Sequence, residues 1–115
     1  MTHYTTGRRI EYRVVEILRS LGYLVIRSAG SHGLVDVVGL RKDGVVLVQC
    51  KRGGKMGLRD RLEFWREATA VGATALIAGY PNSAKKLEFA VLDKEPKRGD
   101  NGRMVALKDN AIGGG

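Results

Sequence analysis

Among 115 residues there is one cysteine, Cys50, and there are two histidines, His3 and His32. An internal disulfide is excluded, and so is a zinc cluster built from Cys and His, which needs about four such ligands. Any metal would have to be held by oxygen. No apolar run approaches the roughly 18 to 20 residues that cross a bilayer. The opening residues, Met1 to Arg9, carry no apolar signal segment, so the expectation is an intracellular, cytoplasmic protein with no membrane partner. At this length a single domain with one modest core is expected, with no room for a second catalytic domain.

What the chain has in excess is positive charge: 20 Lys and Arg against 12 Asp and Glu, a net charge of +8. The cations are spread along the sequence and not gathered in a tail. That distribution fits a folded surface facing a polyanion, with nucleic acid the leading candidate. The competing reading is a charge that only keeps a small protein soluble.

Apolar residues Ile10, Val14, Ile17, Leu18 and Leu21 recur at three and four positions and predict an amphipathic helix over Gly7 to Leu21, ended by Gly22. Tyr23 to Arg27 reads as a strand, and Ser28 to Gly33 as a small-residue loop. Leu34 to Leu40 and Val45 to Lys51 read as antiparallel strands joined around Asp43-Gly44. A second helix is expected over Leu58 to Ala70, with Leu58, Leu62, Trp65 and Thr69 near one face. Ala73 to Ala78 reads as a buried strand, Pro81-Asn82-Ser83 as a turn, and Leu87 to Leu92 as an edge strand. The order implies an α/β fold with a mixed central β-sheet flanked by helices. Residues 1–92 are assigned to this domain, and 93–115, charged and glycine-rich, to a partly disordered tail.

The chemistry concentrates on the hairpin. Gln49 and Lys51 alternate with Cys50, so they share a strand face that Cys50 does not. Asp36 interrupts the apolar run of the opposing strand. If paired numbers sum to 86 or 87, it stands opposite Cys50 or Lys51. A carboxylate there costs several kcal/mol, on the order of other uncompensated buried charges, unless something compensates it. Two compensations are open: an Asp36–Lys51 ion pair, or a hard cation held by Asp36 and the Gln49 side-chain oxygen, with Lys51 beside the attacking water.

Asp36, then Gln49, one residue, and Lys51 across a hairpin resembles the nuclease core written PD-(D/E)XK, the restriction-endonuclease-like superfamily. Gly7 with Glu11 four residues on, Gly22 to Ser31 running into Asp36, and Val48-Gln49-Cys50-Lys51 narrow the likeness to archaeal-type Holliday junction resolvases, over residues 7–80. The resemblance implies a restriction-endonuclease-like core and a Mg²⁺-dependent endonuclease, with Mn²⁺ also supporting activity, that resolves four-way junction DNA as a homodimer. It implies Glu11, Asp36, Gln49 and the Cys50 carbonyl as metal ligands. Lys51 would be the motif lysine and Ser31 a serine near the cleaved strand. Binding of DNA would fall to Arg8, Arg9, Arg13, Arg27, Ser31, His32, Arg52 and Lys55, with Lys85 and Lys86 as further candidates. Phe64 would sit at the dimer interface. Gln49 stands where the family commonly has Glu, and Tyr12 where it often has Arg. Another nuclease substrate, such as a flap or linear duplex, and a non-catalytic DNA-binding module are the alternatives.

Overall fold

A computed structural model describes residues 6–28, 33–105 and 107. Helix α1 spans Thr6–Ser20 and leads into β1 (Leu24–Arg27), β2 (Val37–Arg41) and β3 (Gly44–Cys50). Helix α2 (Leu58–Ala70) crosses to β4 (Thr74–Gly79), and β5 (Glu88–Leu92) and β6 (Arg103–Val105) follow. The strands form one sheet in sequence order, antiparallel throughout except for the parallel β3–β4 pair that α2 connects. This is the expected mixed sheet.

Each helix covers one face. Ile10, Val14 and Leu18, one turn apart on α1, pack with Val46, Val48, Leu76, Ala78 and Phe89. The alternate strand residues Leu47, Ala75 and Ile77 meet Phe64 and Ala68 of α2. Period-two strands between period-3.6 helices account for both layers. Helix α1 stops in a Schellman arrangement. Tyr23 N–H donates to Leu18 O and Gly22 N–H to Arg19 O, both at 3.0 Å, with Gly22 at φ 91°.

Several expectations need correction. The β2–β3 register pairs Val37 with Val48 and Arg41 with Gly44, so the turn is Lys42-Asp43 and Asp36 falls opposite Gln49, not Cys50 or Lys51. The turn is closed by Arg41, whose guanidinium donates twice to the Asp43 carboxylate, at 2.6 and 2.8 Å. Leu34 and Val35 precede β2 and pack under α2, apolar for that reason and not as strand residues. The buried face of α2 is Arg61, Phe64 and Ala68, with Trp65 partly buried and Thr69 exposed. Strand β5 is not an edge, because β6 pairs along it, so the sheet continues beyond Leu92. Among the described residues no helix is long and apolar enough to cross a membrane.

Candidate active site

The polar residues gather where β3 ends. Asp36, immediately before β2, is held in the sheet by its backbone: its N–H donates to Val48 O and its carbonyl accepts from Ser28 N–H, both at 2.8 Å. Its side chain turns toward β3, and Oδ2 accepts from the Cys50 N–H at 2.8 Å. Lys51 N–H continues the parallel ladder to Ala78 O at 2.9 Å. Gly79 keeps this end close-packed, since a Cβ there would collide with the Lys51 carbonyl and the Gly54 backbone.

Gln49 lies on the α2 side of β3 and is only 8% exposed. Its amide nitrogen reaches the Cys50 carbonyl at 3.5 Å, while Oε1 is buried with no hydrogen-bond partner. Such an orphaned oxygen costs free energy unless something outside the chain meets it. Glu11 comes from the first half of α1 and accepts from Arg27 Nη1 at 3.1 Å across β1. Arg27 in turn lies 5.0 Å above the centre of the Tyr12 ring.

The electrostatics tie these groups together. Burial pushes the Asp36 carboxyl above its ordinary range, the Cys50 N–H pulls it back, Glu11 raises it again and Lys51 lowers it. Two acids and one ammonium therefore share a field in a half-buried corner. The Asp36–Lys51 ion pair, one of the two compensations open from the sequence, does not form among the described residues. Burial, with Asp36 and Glu11, pushes the Cys50 thiol up, so it stays a neutral core group on the α1 side. No trio of His, Cys, Asp and Glu is assembled among the described residues. The oxygen donors near the end of β3 are the Asp36 carboxylate, the unmatched Gln49 Oε1 and the Cys50 carbonyl, with Glu11 of α1 felt in the field of Asp36. That set suits a hard cation, which takes few carboxylates and accepts amide and backbone oxygens.

Arg8, Arg9, Arg13, Arg52 and Lys55 are exposed, and so are Lys85 and Lys86. Arg13 pairs with Glu16 at 3.4 Å. Ser31 and His32 lie outside the described residues. Phe64 is a correction: it is fully buried among Met56, Ala68, Ala75 and Ile77 of its own chain, which removes its ring from any interface. Sequence reasoning missed the Tyr12–Arg27–Glu11 chain. Its signal was Tyr12, an aromatic residue on the polar side of a helix whose apolar face was already complete.

A model of the archaeal Holliday junction resolvase (Hjc) family matches residues 2–105. Over 52 residues the chain is 40% identical to the crossover junction endodeoxyribonuclease Hjc of Methanocaldococcus jannaschii. That stretch is 45% of this chain and 38% of the relative, so well under half of the relative's length is matched. Among solved structures, Hjc of Archaeoglobus fulgidus, a Holliday junction resolvase from an archaeal hyperthermophile, aligns with a TM-score of 0.60 at 21% identity. It covers 74% of this chain and 71% of its own, a likeness of fold.

Proposed function

Since the chain belongs to the archaeal Holliday junction resolvase family, we propose that it is an endodeoxyribonuclease that resolves four-way DNA junctions, with the polar end of β3 as its catalytic centre. The observation that carries this reading is the buried, unpartnered Gln49 oxygen beside Asp36, an acid made costly by burial and by Glu11. A core under no functional demand would replace both with apolar residues.

In this reading Glu11, Asp36, Gln49 Oε1 and the Cys50 carbonyl would hold Mg²⁺, with Mn²⁺ an effective substitute. A divalent cation bound there supplies charge against the scissile phosphate and acidifies the attacking water. The chain's own residues do the rest. The Cys50 N–H fixes the orientation of the Asp36 carboxylate, and Arg27 fixes that of Glu11. Lys51, at the β3 end and within the field of Asp36, would orient the nucleophile and offset charge building on the phosphate. Arg8, Arg9, Arg13, Arg52 and Lys55 are exposed cations that would grip the DNA arms, so affinity should fall steeply with salt. Each chain carries one such centre. Paired cuts on opposing strands therefore call for a two-fold homodimer.

The test is incubation with a labelled four-way junction, a flap, a linear duplex and a single strand, each with Mg²⁺ and with chelator. Symmetric paired cuts in the junction, dependent on Mg²⁺, are expected. Equal cutting of flap or duplex would replace junction resolution by another nuclease activity. Binding without any cutting would leave a DNA-binding module.

A further inference from the structure

Arg9, Tyr12, Arg13 and Glu16 recur at three and four residues and form one polar face of α1, away from Ile10, Val14 and Leu18. With Tyr80, just past β4, they line an open groove of about 500 Å³, within the range of small-ligand sites. Tyr12 is 47% exposed there. Arg9 is exposed and forms no ion pair among the described residues, and Arg13 holds Glu16 only loosely, both side chains being more than half exposed. Through Arg27, which packs on the Tyr12 ring and donates to Glu11, the groove adjoins the catalytic acids.

Two tyrosines flanked by two arginines are the chemistry of a single-strand site, in which a ring stacks on a base and cations meet the phosphates. We propose that this groove is a nucleotide subsite: an unpaired base at the exchange point of the junction stacks on Tyr12, with Tyr80 as the far wall and its phosphates on Arg9 and Arg13. The inference rests on the nuclease reading and adds how the strand is drawn toward the cut.

The test uses the full chain in chelator with four-way junctions carrying one 5-iodouracil at successive positions beside the exchange point. These are irradiated and the cross-linked peptides mapped. A position that cross-links to Tyr12 or Tyr80 is expected. Tyr12→Ala should abolish that cross-link and weaken junction binding about tenfold, and Tyr12→Phe should stay within about twofold of wild type. A junction abasic at that position should bind wild type and Tyr12→Ala alike. If the junction is bound but cross-links elsewhere or nowhere, or if Tyr12→Ala slows cutting with unchanged affinity, the subsite is refuted and Tyr12 only supports Arg27. If no junction is bound at all, the nuclease reading fails first.

Discussion

Gln49 and Arg61 are the two buried polar side chains among the described residues, and their surroundings treat them in opposite ways. Arg61, 4% exposed on α2, spreads its guanidinium over three acceptors. Nη1 donates to Met56 O and to Asn101 Oδ1, and Nη2 donates to Lys97 O at 2.9 Å. It ties α2 to the segment before it and to the loop between β5 and β6, leaving only Nε unmatched. Gln49 makes one long bond and leaves its oxygen unmet. A buried polar group that serves the fold is satisfied within the chain. One that serves a ligand is left open, and stability is spent on it.

That contrast is most easily broken at Arg61. Arg61→Ala strands three acceptors on two segments and should cost about 3 kcal/mol, measured by denaturant unfolding. Cleavage per folded molecule should stay near wild type, and an unchanged midpoint would remove Arg61 as a structural clamp. Gln49→Leu should do the reverse. Removing an orphaned oxygen should leave stability within about 1 kcal/mol of wild type or raise it, while cleavage falls by about a hundredfold. A large loss of stability would make Gln49 a structural residue.

Gln49→Glu sharpens the comparison. A third carboxylate beside Asp36 and Glu11 should lower Tm in chelator and restore it with Mg²⁺, by about 2.7 kcal/mol when the cation is at a hundred times its Kd. Cutting should also begin at lower Mg²⁺ than in wild type. A Tm indifferent to Mg²⁺ would separate Gln49 from any cation. The smallest effect is the pH dependence of the metal-free protein. Because burial raises the folded pKa of Asp36, its contribution to stability is complete below the ordinary carboxylate range and is lost as pH rises through the folded pKa. Asp36→Asn should therefore raise Tm by a few degrees at neutral pH, and the gain should vanish on acidification. A gain independent of pH would point to repacking.

The pattern of α1 was legible because Ile10, Val14 and Leu18 face one core and nothing else competes for them. Helix α2 was legible in extent but not in facing, since a buried Arg61 looks like any solvated charge until its acceptors, scattered between Met56 and Asn101, are folded around it. The register slipped because Asp43-Gly44 suggested a turn one residue later than Lys42-Asp43, the pair that Arg41 closes. Strand β6 is three residues long in a charged, glycine-rich stretch, and only pairing with β5 makes it a strand. At the site, Asp36, Gln49 and Lys51 were legible from alternation and an anomalous acid. Glu11 came from family resemblance, because no spacing rule links a helix residue to a hairpin. The Arg27–Glu11 and Arg27–Tyr12 contacts join α1 to the far end of β1 and exist only in three dimensions.

The central claim is that the open polar corner at the end of β3 cuts junction DNA, and Asp36→Asn reaches it most directly. The isosteric amide keeps an acceptor for the Cys50 N–H and removes the charge that would hold a cation. With a labelled four-way junction and Mg²⁺, the variant should bind as tightly as wild type or more tightly and release no cleavage product at times when wild type is complete. Cutting by Asp36→Asn at the wild-type rate would contradict the account.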